Sequence, residues 1–154
     1  MQSLELKIPP PIIALIVAVA MWGVSRIGPP PIEVSTAVRQ ALAAVLALAG
    51  VATIISGLRA FRRARTTIDP RNPQMTAALV TTGVYRLTRN PMYVGFIVVL
   101  LGWAEFLFSP WALAGPLAFL LYIGRFQIEP EERALMALFG GAFSAYASRV
   151  RRWV

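Results

Sequence analysis

The chain of 154 residues contains no cysteine and no histidine. Without cysteine there is no disulfide, no thiolate nucleophile and no sulfur ligand for a metal. Without histidine the commonest general base and the commonest metal ligand are both missing. No metal site is therefore expected, and any chemistry must run on carboxylates, tyrosines, amides and arginines. Charge is scarce as well. Charged residues make up 14% of the chain, where a soluble domain carries roughly 25%. Acidic residues are the rarer sign, 7 against 15 basic ones, and 14 of those 15 are arginine. Such a balance suits an anionic partner, either a nucleic acid or a membrane surface.

What the sequence has is apolar surface. Hydrophobic residues are 57% of it, with a mean hydropathy of +0.64. The length suits a single domain spanning residues 1–154. A water-soluble globule of this size is dominated by surface and cannot hide so much apolar area. The composition therefore points to an integral membrane protein with basic loops, and away from nucleic acid.

Four apolar runs follow one another. The first is Pro11 to about Gly28, "PIIALIVAVAMWGVSRIG"; Lys7 is the only basic residue before it and no clear cleavage site follows, so it reads as a retained helix and not a signal peptide. The second is about Val38 to Leu58. The third is Met92 to Phe108, and the fourth is Trp111 to about Gly124. Crossing the hydrocarbon takes about 20 residues; the first two runs qualify, and the flanks of the last two can extend them. Ser109-Pro110 predicts a tight hairpin between helices three and four, with Trp103 and Trp111 near the outer interface. The alternative, a soluble bundle of buried helices, would leave too few polar faces to solvate. The predicted fold is thus all-α and polytopic: helices one and two over 1–58, a loop over 59–91, a helical hairpin over 92–128, and a C-terminal amphipathic helix over 129–154. In that last stretch Leu135, Leu138, Phe139, Phe143, Tyr146, Val150 and Trp153 recur at helical spacing, interrupted at Gly140-Gly141.

Four crossings put both termini and the long loop on one side. That side collects thirteen basic residues, against two, Arg26 and Arg39, on the other. The positive-inside bias makes it cytoplasmic, in a bacterial inner membrane, where some arginines meet anionic lipid. Arg71-Asn72-Pro73 repeats three letters of Arg89-Asn90-Pro91 without their flanking tyrosine and glycine, and reads as a turn. Glu105, thirteen residues into the third run, is expected to make a structural ion pair with Arg26 or Arg39.

Two blocks carry chemistry. "LVTTGVYRLTRNPMYVG", Leu79 to Gly95, enters the third run; "EERALMALFGGAFSAYASRVRRW", Glu131 to Trp153, follows the fourth. Pro91 suits a first helical position, and the free N–H groups there form an anion seat. Glu131 and Glu132 complement a helix start, yet two adjacent carboxylates at a membrane boundary also ask for a partner. Tyr85 and Tyr93 are either interfacial tyrosines or ring faces for a cation.

Together the blocks resemble the integral membrane methyltransferases of the isoprenylcysteine carboxyl methyltransferase family, which is related to the phospholipid methyltransferases. The family pattern G-x-Y-x-x-x-R-H-P-x-Y-x-G is met by Gly83, Tyr85, Arg89, Pro91, Tyr93 and Gly95. The second, E-E-x-x-L-x-x-x-F-G-x-x-Y-x-x-Y-x-x-x-V-x-R-W, is met by Glu131, Glu132, Leu135, Phe139, Gly140, Tyr146, Val150, Arg152 and Trp153. Asn90 stands where the family has His, and Phe143 where it has the first Tyr. Asn90 hydrogen-bonds but does not titrate, so a binding role survives there while a proton-accepting one does not. The resemblance implies S-adenosylmethionine as methyl donor, with S-adenosylhomocysteine as product. It would be held by Leu79, Val80, Gly83, Tyr85, Arg89, Asn90, Pro91, Tyr93, Gly95, Glu131 and Glu132. Asn90, Arg149 and Arg152 are the candidates at the reacting end. The acceptor would be lipophilic and enter from the bilayer, either a carboxylate, which needs no base, or a lipid amine. Two other functions share such a helical core: a sterol-reductase-like enzyme binding NADPH, and a non-catalytic lipid-binding protein.

Overall fold

The computed structural model describes residues 5–27, 35–65 and 78–154. The Arg71-Asn72-Pro73 turn lies outside them. The described residues form six α-helices: α1 Pro10–Val24, α2 Thr36–Arg63, α3 Pro91–Leu107, α4 Ala114–Ile123, α5 Glu129–Phe139 and α6 Gly141–Ala147. Among the described residues there is no strand, so the all-α expectation stands. α1 and α3 both begin at proline, whose fixed φ and missing N–H suit a first turn.

α3 is the centre of the molecule, with α2 on one side and α1 and α4 on the other. The α2–α3 contact is made by small residues spaced by seven. The only buried residues of α2 are Ala43, Gly50 and Gly57; Ala43 faces Gly102 of α3, Gly50 faces Gly95, and Gly57 faces Met92 and Pro91 at the start of α3. A Cβ on Gly50 would sit 2.6 Å from the Gly95 carbonyl oxygen, and one on Gly102 would sit 2.9 Å from that of Ala43. The backbones therefore approach as closely as in small-residue helix pairs within membranes. On the other side Gly115 receives Met21 of α1, and Phe119, Ile123, Ile128, Leu100 and Ile13 fill the core.

The outward faces are greasy. Leu15, Val19, Val45, Leu48, Leu117 and Leu121 are each more than half exposed. Two helices are long and apolar enough to cross a membrane, Thr36–Arg63 with 28 residues and Pro110–Phe139 with 30. α1 and α3 are shorter, 15 and 17 residues. A contiguous apolar exterior on such helices is costly in water and fits lipid, and the chain is a membrane protein.

Three sequence expectations need correction. The fourth helix does not stop near Gly124 but continues through a π-helical turn, Gly124–Ile128, into α5. Pro130 has no N–H for the carbonyl one turn back, that of Phe126, and the Leu6 N–H bonds to it instead at 3.1 Å. The helix thus survives its proline with a donor from outside. Second, the C-terminal stretch is not one amphipathic helix. Gly140, at φ +47° and ψ −119°, separates α5 from α6, and the residues after Ala147 leave the helix. Third, neither Arg26 nor Arg39 pairs with Glu105 among the described ion pairs. Arg39 donates Nη2 to the Phe106 carbonyl at 3.3 Å, and its guanidinium lies 3.7 Å from the Phe108 ring centroid. It caps the C-terminal end of α3, where a cation is favoured.

Candidate functional site

The loop before α3 and the chain end meet beside the start of α5. Gly83, at φ +63°, opens a 3₁₀ turn over Gly83–Arg86 that points the Tyr85 ring inward, edge-on to Phe61 of α2 at 5.5 Å. The Tyr146 hydroxyl of α6 donates to the Tyr85 carbonyl at 2.7 Å, which ties α6 to that turn. Residues 151–152 then run along residues 88–90. The Arg89 N–H donates to the Arg151 carbonyl at 3.0 Å. The Arg152 carbonyl accepts from the Thr88 hydroxyl at 3.2 Å and from the Asn90 side-chain amide at 2.9 Å. Thr88, in turn, accepts the Asn90 N–H at 3.1 Å.

This pinning sets the charges. The Arg152 guanidinium grips Glu132 with two nitrogens, Nη2 at 2.6 Å from Oε2 and Nε at 3.3 Å from Oε1. Arg89 Nη1 reaches the same Oε1 at 3.3 Å. One carboxylate is therefore shared by two guanidiniums, and Arg89 Nε is buried without a partner. Glu131 turns elsewhere and accepts the Tyr93 hydroxyl at 2.6 Å. The site thus offers one cation in excess near Arg89, and one carboxylate, Glu131, whose bonded partner is a neutral phenol. Burial pushes the Tyr85 phenol well above its usual range, with the nearby Tyr146 and Glu131 adding to the effect. Burial also pushes Tyr146 up to about 12, opposed by the Arg89 charge. Both phenols are neutral at ordinary pH.

Of the residues singled out in the sequence, Tyr85, Arg89, Asn90, Glu132 and Arg152 come together in this network, and the Tyr93–Glu131 pair lies beside it. Leu79 and the buried Val80 lead into it, and Pro91 is buried at the head of α3. Gly83 is exposed and serves the left-handed turn. Two residues stand apart. A Cβ on Gly95 would meet Ile54 at 2.6 Å, so its missing side chain is used by α2. Arg149 is exposed and bonds the Ala145 carbonyl within its own turn. Sequence reasoning passed over Thr88, a buried hydroxyl inside the first block, and Gln127, a fully buried amide in the π-helical turn. Gln127 stands between Arg125 and Glu129, past the apolar run, so the local pattern carried no signal for its burial.

Parts of the chain are similar to known proteins. A protein of Haemophilus influenzae, described as uncharacterized, is 38% identical over 63 residues, 41% of this chain and the whole of that protein. A probable protein-S-isoprenylcysteine O-methyltransferase of Oryza sativa subsp. indica is 39% identical over 75 residues, 47% of this chain but 38% of that protein. Protein-S-isoprenylcysteine O-methyltransferase B of Arabidopsis thaliana is 37% identical over 75 residues, 47% of this chain and 36% of that protein. The match thus spans well under half of the two plant enzymes. No solved structure matches the chain. The family match, to the phospholipid methyltransferases, runs over residues 38–142, from α2 through the Glu131–Glu132 pair into α6. With that coverage and the clustered motif residues, the chain belongs to the phospholipid methyltransferase family.

Proposed function

We propose that the chain is an S-adenosylmethionine-dependent methyltransferase that acts in the membrane on a lipophilic acceptor. The observation that carries this reading is the convergence of two motif blocks, some 40 residues apart, on one charged network beside α3. The residues fit the donor's mixed charge. Arg89, with its buried unpartnered Nε, and the first turn of α3 suit a carboxylate. Glu131 suits an ammonium or ribose hydroxyls, and Tyr85 and Tyr93 suit a cationic centre through their rings. Glu132 holds Arg89 and Arg152 in register. Val80 and Leu79 give an apolar wall. Bound there, S-adenosylmethionine supplies an activated methyl group.

The protein's own contribution is alignment and exclusion of water. Arg152, anchored by its carbonyl to Thr88 and Asn90, is the cation available to place an acceptor carboxylate. For a lipid amine, Glu131 is the carboxylate placed to take the proton. Asn90 acts as a donor that orders the site, not as a base. In this reading α1, α2, α3 and the helix from Pro110 cross the bilayer as one domain, with α3 and α4 as a hairpin. Both termini and the basic loop face the cytoplasm of a bacterial inner membrane, and the acceptor enters laterally from lipid.

Calorimetric titration of S-adenosylhomocysteine into the detergent-solubilised protein tests this, with Glu132→Ala alongside and NADPH in parallel. Micromolar binding that collapses in the variant is expected. Absence of binding in several detergents, or binding of NADPH alone, would overturn it.

A further inference from the structure

Gln127 is wholly buried, sits in the π-helical turn, and uses only half of its amide. Its Nε2 donates to the Ile8 carbonyl at 2.8 Å. Its Oε1 is buried and has no partner among the described residues. The orientation is not arbitrary. A carbonyl only accepts, so the NH₂ end must face Ile8 and the oxygen must face away. A buried amide oxygen left without a donor is costly, and π-helical turns within α-helices often mark functional sites.

The N-terminal segment enforces this orientation. Glu5 bridges Arg125 and Arg133, at 3.3 Å and 2.6 Å, and Leu6 N–H bonds the Phe126 carbonyl that Pro130 leaves open. Residues 5–8 thus strap the π-helical turn at three consecutive positions, 125, 126 and 127. Four residues on from Gln127 is Glu131, and side chains four apart lie on one helix face. That face carries two acceptors in succession, the lone Gln127 oxygen and the Glu131 carboxylate, next to the Ile123–Ile128–Tyr93 core.

We propose that Gln127 is a ligand-binding residue of this site: its strap-oriented oxygen accepts an N–H from the bound substrate, in line with Glu131. This rests on the methyltransferase reading for where the ligand lies. The N–H could come from the donor molecule or from an amine headgroup, and the test separates the two.

The experiment uses the full chain in lipid nanodiscs, as wild type, Gln127→Met, Gln127→Glu and Glu5→Ala. Melting temperature is read without ligand, with S-adenosylhomocysteine, and with phosphatidylethanolamine in place of phosphatidylglycerol. Without ligand, Gln127→Met removes an unmet acceptor and also the Nε2 bond to the Ile8 carbonyl, so each variant's ligand shift is read against its own ligand-free melting point. One of the two ligands should raise the wild-type melting point. That rise should vanish in Gln127→Met and persist in Glu5→Ala, which keeps the bond from Nε2 to the Ile8 carbonyl; Gln127→Glu, which sets a carboxylate against that carbonyl, should lose part of it. A rise with S-adenosylhomocysteine assigns the N–H to the donor molecule; a rise with phosphatidylethanolamine assigns it to the acceptor. The proposal is overturned if the ligand shift survives in Gln127→Met, or if neither ligand shifts wild type. A wild type that responds to S-adenosylhomocysteine while Gln127→Met does so equally would leave the methyltransferase reading standing and remove this inference alone.

Discussion

Asn90 donates its side-chain amide to the backbone carbonyl of Arg152, 2.9 Å away, and so fixes the residue whose guanidinium grips Glu132. The position where the family pattern has a histidine is here used as a hydrogen-bond donor to the chain end. That explains why a residue unable to titrate is compatible with the site: what the position must supply is an N–H, and imidazole and amide both have one.

The first prediction follows. Asn90→Ala should weaken the latch by about 1 kcal/mol, the net worth of an ordinary hydrogen bond. Asn90→Asp should be worse, because it sets a carboxylate against a carbonyl. Asn90→His should retain the latch. Limited trypsin digestion reads this directly, since Arg149, Arg151 and Arg152 lie in the latched segment. The Ala and Asp variants should be cut there faster than wild type and His. Equal cleavage of all four would rule out a latch.

The second concerns the shared carboxylate. Glu132 and Arg152 touch, so their effects should not add. A double-mutant cycle of Glu132→Ala and Arg152→Ala on unfolding free energy should give a coupling of about 0.5–1 kcal/mol, held to the low end because Arg152 is partly exposed. The same cycle on S-adenosylhomocysteine affinity should show the double variant binding about as poorly as Glu132→Ala alone. Strict additivity in both would mean that the two residues act separately.

How much of this was legible in the sequence depends on the length scale of the interaction. The apolar runs and the motif blocks are local patterns, and they located α1 to α4 and the clustered residues Tyr85, Arg89, Tyr93, Glu131, Glu132 and Arg152. The helix running through Pro130 was not legible, since the donor that meets the open Phe126 carbonyl comes from Leu6, more than 100 residues away in the chain. Gly95 fits a family position, and its packing against α2 is a separate feature that the motif does not reveal. Its partner, Gly50, is on another helix, and only the seven-residue spacing of Ala43, Gly50 and Gly57 against Gly95 and Gly102 hints at it. The expected Glu105 ion pair failed because Arg39 gains more at the end of α3, where open carbonyls and the Phe108 ring receive it.

A third prediction separates the two kinds of glycine. Gly95→Ala would place a Cβ 2.6 Å from Ile54 and 2.7 Å from the Gly50 carbonyl oxygen, where α2 backbone must yield. Such overpacking costs about 1–3 kcal/mol. Gly141→Ala has nothing within 4 Å and begins α6, where alanine is favoured over glycine. Melting of the two variants in the same detergent should show a clear loss for Gly95→Ala and none for Gly141→Ala. A neutral Gly95→Ala would mean that the α2–α3 seam is looser than its backbone approach indicates.

The last prediction is a pH dependence set by Tyr146. Its phenol is raised from 10.0 to about 12 in the fold, chiefly by burial, against the opposing Arg89 charge. The folded protein therefore keeps this proton where the unfolded chain has lost it. Stability rises with pH only where the unfolded state binds more protons; here the folded state binds more, so the sign is a loss. The contribution is fully present below pH 10 and drains away as pH climbs from about 10 to about 12. Tyr85, raised in the same direction by burial, steepens the fall. Tyr146→Phe cannot ionise and also loses the 2.7 Å bond to the Tyr85 carbonyl, at a cost of about 1–3 kcal/mol for the acceptor left buried. It should start less stable at pH 8 and then decline more gently, so that the two curves converge near pH 12. Chemical denaturation at pH 8, 10 and 11.5 measures this. Parallel curves would show that Tyr146 titrates normally and that its burial against the Gly83–Arg86 turn is not maintained in the membrane protein.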